Sequence, residues 1–384
     1  MRPILLILLS LLLTIPAFHH THAQLKNPDN IQHDWSTDTS NHIIDLSEIQ
    51  VVLPRNSFPV IDYPEFTGKE QGLKQFFRHE PVIAVSLNGR AKAYPLNMLA
   101  MHEISNDTLG GIPILPSYCP LCNSALVFDR RLKHQEEEHL LEFEVSGMLR
   151  YSNLILADKQ TETWWQQLSA KGLAGKLAGA ELKIIPSMII TVKEFFESYP
   201  KGKILSPETG TKAENRYGTN PYVNYDEEDG KPMEKYFPHE KISGRLPAME
   251  RVLEIKSENR GYRIYPFSEI RNKEVINDEF GSKKIVVFYR DEKVSILDES
   301  NIRKSKTIGS ATAFSRRFKG QTLTFSKKNG YFTDHQTQSK WTITGHCIKG
   351  KLKGSKLKLL PHGNHFAFAW LHFYPESEIY RSQE

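Results

Sequence analysis

The chain repeats itself. Two stretches about 171 to 176 positions apart carry the same residues in the same order, and whatever one stretch folds into constrains the other. Tyr94-Pro95-Leu96, Asn106-Asp107, Gly110 and Tyr118 are answered by Tyr265-Pro266-Phe267, Asn277-Asp278, Gly281 and Tyr289. Further along, Asp158, Thr161 and Trp165 are answered by Asp334, Thr337 and Trp341, and Gly175, Gly179 and Tyr199-Pro200 by Gly350, Gly354 and Tyr374-Pro375. The expected organisation is two divergent copies of one unit, at 76–205 and 246–384. A polar connector at 206–245, rich in Gly, Pro, Asn and charge, joins them, and an extension at 24–75 precedes them. Two independent domains and one pseudo-symmetric body sharing a core are both open.

The local patterns are mostly of strand type. Alternating segments at 82–87 and 92–94 flank Asn88-Gly89, a hairpin signal. Pro95 is placed to open a short helix running to His102. Strand-like runs follow at 112–118, 125–128, 140–145 and 154–157. Thr191 and Glu194 form a capping box ahead of Phe195 and Phe196, and Pro200 marks the stop. The second copy closes in the same way after Asn364. The expected class is α+β and β-rich, with mostly antiparallel strands and a few short helices.

The N-terminus carries Arg2 and then an apolar run at 4–15, ending in the small, polar stretch Thr21-His22-Ala23. That is the pattern of a signal peptide at 1–23. The run is too short for a spanning helix, which needs ~20 residues, and no later segment is long enough, so no mature transmembrane segment is expected. Export to the periplasm or the medium follows, where disulfides are allowed. With 50 basic and 45 acidic residues dispersed along the chain, nothing calls for nucleic acid as a partner. A small molecule or metal is the expected one, its identity unread. The nucleophile elbow of serine hydrolases, the phosphate-binding loop and the dinucleotide fingerprint are all missing.

The local chemistry is concentrated in Cys119-Pro120-Leu121-Cys122; the only other cysteine is Cys347. The copies differ here, since Tyr118 runs into this box whereas Tyr289 runs into Arg290-Asp291-Glu292. Three uses are open. Two sulfurs presented by a strand, a turn and a strand suit a soft or borderline metal, copper or zinc, or a metallocofactor. His102 is then the third ligand, because its helix precedes the strand that delivers Cys119. As an extracytoplasmic thiol-disulfide pair, one cysteine attacks and the other resolves. As a structural disulfide in a non-catalytic binding module, the small loop yields only ~2 kcal/mol, against ~3 for a 15-residue loop. Ser146, Gly147, Arg150 and Asn153 lie in a polar insertion that only this copy has, and they are the expected pocket wall. Each has a plainer use, Ser146-Gly147 as a turn and Arg150 as a solvated ion-pair partner. Asp158, Trp165 and Trp341 recur where the cysteines do not, so they are read as structural. His362 and His365 have ligand-like spacing but lack the glutamate of a metalloprotease helix.

Tyr94-Pro95-Leu96, His102-Glu103-Ile104, Asn106-Asp107, the Tyr118-Cys119-Pro120-Leu121-Cys122 box, Ser146-Gly147, Asn153-Leu154 and Asp158 to Trp165 together resemble the bacterial domain-of-unknown-function family 3179. The resemblance is good over 45–225 and weak beyond. It implies no established reaction. One departure is Asn123-Ser124 after the second cysteine, where the family commonly has Gly or a small residue; Asn tolerates the left-handed backbone that such a turn needs.

Overall fold

The computed structural model describes residues 34–382, so the expected signal peptide lies outside the described residues. Among the described residues the chain is β-rich, with mostly antiparallel strands and five helices of seven residues each. No helix among the described residues is long and apolar enough to cross a membrane.

Asn88 and Gly89 both take positive φ, 49° and 75°, the backbone of a type I′ turn. They fold Pro81–Leu87 onto Arg90–Pro95. This hairpin is the centre of a sheet ordered Ser187–Thr191, Pro81–Leu87, Arg90–Pro95, Lys203–Leu205 and Phe66–Thr67, in which only the Arg90–Pro95 contact with Lys203–Leu205 is parallel. In the other half Asn364–Phe366, Arg251–Ser257, Gly261–Pro266 and Glu378–Ile379 stand in the same kind of order, again with one parallel contact, to the last strand. Pro95 and Pro266 each precede a helix, Leu96–His102 and Phe267–Lys273, and each helix stops at a glutamate with positive φ, Glu103 at 61° and Glu274 at 57°. The capping box is present, Thr191 accepting from the Glu194 N–H while Glu194 accepts from that of Thr191.

The same side-chain bonds recur at answering positions. Tyr94 and Lys92 donate to the Asp107 carboxylate at 2.5 and 2.8 Å; Tyr265 and Arg263 donate to that of Asp278, both at 2.8 Å. Asn106 clasps the backbone of Phe143 through its N–H and C=O, and Asn277 clasps Phe325 likewise. Arg130 and Arg316 each lie buried and satisfy three backbone carbonyls. A buried guanidinium that spends its donors in this way locks the strands around it.

One apolar cluster passes through both halves and includes Val82, Leu126 and Phe195 together with Phe314, Trp341 and Phe366. The halves also exchange strand contacts. Ser124–Asp129 packs against Asn364–Phe366, and Ser187–Thr191 against Ser310–Ser315. Residues 206–245 contain only two short helical turns, Lys212–Arg216 and His239–Lys241.

Candidate thiol site

Cys119 ends the strand Ile112–Cys119, and Cys122 ends the single turn Pro120–Cys122 that follows. Asn123, at φ 47° and ψ 33°, is left-handed and reverses the chain. Ser124–Asp129 then returns beside the first strand, with Ser124 opposite Cys119. Both sulfurs are buried free thiols, as is Cys347. The two side chains act on each other's proton affinity, in opposite directions. Burial by itself raises the Cys119 thiol, but the Cys122 side chain and the backbone N–H groups of Leu154, Cys122 and Leu121 outweigh it, leaving Cys119 below the ordinary thiol value. Cys122 is held well above that value by burial and then by Cys119, with Asn153 opposing weakly. One sulfur is thus prepared to carry charge and the other to keep its proton.

The helix Leu96–His102 aims the next residue at this pair. Glu103 reverses the backbone, and its carbonyl accepts from the N–H of Tyr118, the residue before Cys119, at 2.8 Å. Its carboxyl is pushed up to about 8 by burial and then by negative charge at Cys119. A group that exchanges its proton near neutrality therefore stands next to the thiol of lower proton affinity.

Residues 206–245 roof the site. The Tyr225 hydroxyl donates to the Leu121 carbonyl inside the cysteine turn at 2.9 Å. Tyr222 is raised by burial, then by the charges of Glu103 and Cys119. The hairpin turn Tyr151-Ser152, with φ 50° and 62°, forms the adjoining side. Its Ser152 carbonyl accepts from the Cys119 thiol at 3.5 Å, and its Ser152 N–H donates to the Tyr236 carbonyl at 3.0 Å. With Cys119 1% and Cys122 0% exposed, this face is closed, and a reagent must displace the roof to reach the sulfurs.

Of the expected pocket residues, Asn153 is beside Cys122 and completely buried. Its amide also donates to Gln167 at 2.9 Å and accepts from Gln166 at 2.7 Å and the Leu168 N–H at 2.9 Å. The other three serve the scaffold. Ser146 donates to the Ile155 carbonyl and accepts from the Met148 N–H at 3.0 Å, shaping an irregularity in the strand pair. Gly147 has φ 76°, and a Cβ there would meet the Leu53 carbonyl oxygen at 2.1 Å, because Val52 and Leu53 both donate to the Gly147 carbonyl. Arg150 pairs with Glu48 at 2.7 Å and lies over the rings of Tyr151 and Phe373. The polar insertion docks the N-terminal segment.

His102 corrects the expected ligand set. Its Nδ1 faces the Pro59 carbonyl and its Nε2 the Tyr217 hydroxyl, so both nitrogens are engaged away from the sulfurs. Among the described residues no three His, Cys, Asp or Glu side chains are grouped to hold a metal. The donor set therefore does not fit zinc's four-coordinate centre. Asp158 accepts from Thr161 and the Trp165 indole, the latter at 2.9 Å, and Asp334 does the same for Thr337 and Trp341, also at 2.9 Å. His362 faces the Leu360 carbonyl at 2.7 Å.

Two features escaped the sequence reading. Glu103 was legible only as a helix-end charge, since nothing local says that its carboxyl lies by Cys119. The second is a buried polar chain across the halves, in which His365 Nδ1 meets the Ser124 hydroxyl at 3.0 Å and Nε2 lies 3.0 Å from the Glu254 carboxylate. Ser124 and His365 are 241 residues apart, and no spacing rule connects them.

A family model described as a protein of unknown function, DUF3179, matches residues 55–377. No curated protein and no solved structure matches the chain.

Proposed function

We propose, from the premise that the chain belongs to the DUF3179 family of proteins of unknown function, that it is a thiol-disulfide redox protein with Cys119 as attacking thiolate and Cys122 as resolving thiol. The observation that carries this is a pair of buried free thiols within one turn, Cys119 held below and Cys122 above the ordinary thiol value. In the reaction the Cys119 thiolate attacks one sulfur of a substrate disulfide and expels a thiolate, giving a mixed disulfide. Cys122 then loses its proton and attacks the Cys119 sulfur, so that the second substrate thiol leaves. The substrate gains two electrons, and the protein is left with a Cys119–Cys122 disulfide. The proton that Cys122 gives up goes to the departing substrate thiolate; the neighbouring Glu103 carboxyl, pushed up to about 8, is itself protonated at neutral pH and adds no second negative charge beside the Cys119 thiolate. The roof over residues 206–245 must open for the substrate to enter.

Two further parts belong to this reading. The first is the duplication, in which one copy keeps the thiols and the other, with Arg290 and Lys293 at the answering positions, supplies packing. The recurring clasps of Asp107 and Asp278, Asn106 and Asn277, and Arg130 and Arg316 support it. The second is export, supported by the pattern at 1–23. A periplasmic or secreted setting lets the disulfide form persist.

The test traps the intermediate. A Cys122→Ser variant incubated with oxidised glutathione should accumulate a mixed disulfide on Cys119, read by mass spectrometry, whereas Cys119→Ser should not react at Cys122 at a comparable rate. Elemental analysis of the purified protein is run in parallel. Stoichiometric copper or zinc lost from the double variant would replace this reading with a metal-binding one.

A further inference from the structure

The two halves differ in charge at one answering segment. Tyr199-Pro200-Lys201-Gly202-Lys203 answers Tyr374-Pro375-Glu376-Ser377-Glu378, so two lysines stand where the second half has two glutamates. The backbone is the same, with the Gly202 N–H donating to the Tyr199 carbonyl at 2.8 Å and the Ser377 N–H to the Tyr374 carbonyl at 3.1 Å. Each segment then runs parallel to the second strand of its hairpin, Lys203 beside Lys92 and Glu378 beside Arg263. In the second half this placement neutralises charge, because Glu378 pairs with Arg263 at 2.7 Å and with Arg260 at 2.6 Å. In the first half it sets like charges side by side, which costs stability.

An open cleft of about 800 Å³ lies over these cations, in the size range of small-molecule sites. Arg90, Lys92, Lys201 and Lys203 line it, Arg90 and Lys201 each lying two residues before the Lys92–Lys203 register pair. Lys92 is held by Asp107 at 2.7 Å, as Arg263 is by Asp278 at 2.8 Å. Arg90, Lys201 and Lys203 are exposed, and none of the three enters an ion pair among the described residues. Phe66, Leu109 and Tyr199 give the cleft an apolar side, with Lys92 Nζ 3.9 Å from the Phe66 ring centre. The scaffold has a way to neutralise this face, and the first half leaves it cationic and open to solvent.

We propose that this cleft binds a soluble phosphate monoester with an aromatic or comparably apolar body, the phosphate among Arg90, Lys201 and Lys203 and the body against Phe66 and Tyr199. A phosphate monoester concentrates nearly two negative charges and three acceptor oxygens on one centre, which three uncompensated cations match better than a carboxylate with one charge. Arg90 supplies a planar fork and the lysines point charges, the two ways proteins hold phosphate. The assignment goes beyond the thiol reading and does not rest on it.

Titration calorimetry of the purified protein at low ionic strength tests it, with phenyl phosphate, inorganic phosphate and benzyl alcohol as probes. Saturable one-to-one binding of phenyl phosphate is expected, roughly tenfold tighter than inorganic phosphate, with no binding of benzyl alcohol. Lys203→Glu, which installs the charge of Glu378, should weaken phenyl phosphate roughly tenfold or more and raise the melting temperature of the ligand-free protein. Lys201→Glu, an exposed change in the turn, should weaken it in the same direction. No saturable binding of phenyl phosphate, equal affinity for inorganic phosphate, or affinity unchanged in both folded variants would overturn the proposal. Sedimentation with phosphatidylcholine vesicles containing phosphatidic acid separates the sources of the phosphate. Pelleting that Lys203→Glu abolishes, without binding of phenyl phosphate, would assign the cleft to a lipid headgroup and overturn the soluble ligand.

Discussion

Cys119 and Cys122 are buried free thiols in one turn that lie on opposite sides of the ordinary thiol value, Cys119 lowered by the Cys122 side chain and backbone N–H groups against burial, Cys122 raised first by burial and then by Cys119. Replacing Cys122 by alanine removes that side chain's effect while leaving the three backbone N–H groups in place. The Cys119 thiol should then titrate at higher pH than in the parent protein. In Cys122→Ser, which retains an O–H donor, most of the depression should remain. Thiolate absorbance followed against pH distinguishes the two variants.

Glu103 should make the protein less stable as pH rises through the neutral range. Its carboxyl is raised from about 4.5 to about 8, so between those values the native state binds more protons than the unfolded chain. Stability falls with pH across that window. Below it both states are protonated and Glu103 contributes nothing. Glu103→Gln removes the penalty and is expected to stabilise the protein by roughly 1–3 kcal/mol at pH 8.5, with little change at pH 4. Denaturant melts at the two pH values measure the difference.

Gly147 separates a pocket wall from a scaffold. With φ 76° and the Leu53 carbonyl oxygen 2.1 Å from where a Cβ would stand, Gly147→Ala should destabilise by roughly 2–4 kcal/mol. The change should loosen residues 49–57 toward protease and leave the Cys119 titration unchanged. A shifted thiol titration in a folded Gly147→Ala protein would return this loop to the site.

The answering carboxylates should behave alike. Asp158→Ala strands the Trp165 indole and Thr161, and Asp334→Ala strands Trp341 and Thr337. Each is expected to cost roughly 2–4 kcal/mol. If the halves share one core, both variants should unfold in a single transition by calorimetry. Loss of one half with the other intact would show two separable domains.

Much of the scaffold was legible because its signals are local. Asn88-Gly89 specifies its hairpin through two positive φ angles, Pro95 opens its helix, and Thr191 with Glu194 closes a capping box within four residues. Asn123 takes the left-handed backbone that ends the cysteine turn. The site was legible only as far as its covalent neighbours. His102 is close to Cys119 along the chain, yet the partner of its Nε2 is Tyr217, 115 residues away, and that distant tyrosine rather than the thiols decides where the ring points. Tyr225 likewise reaches the cysteine turn from a connector whose regular structure is limited to two short helical turns. Ser146, Gly147 and Arg150 were polar and inserted, which looks the same in sequence whether a loop faces a ligand or holds another segment of the chain. Glu103 acquires its unusual proton affinity from burial and from Cys119, neither of which is written at position 103.

The most direct test equilibrates the intact protein with glutathione buffers of graded redox potential, quenches with acid, alkylates, and counts the disulfide-bonded fraction of Cys119 and Cys122 by mass spectrometry. A single reversible two-electron transition confined to this pair is expected, abolished in either serine variant, with Cys347 remaining a thiol. A pair that stays reduced at every potential until the protein is unfolded would contradict it.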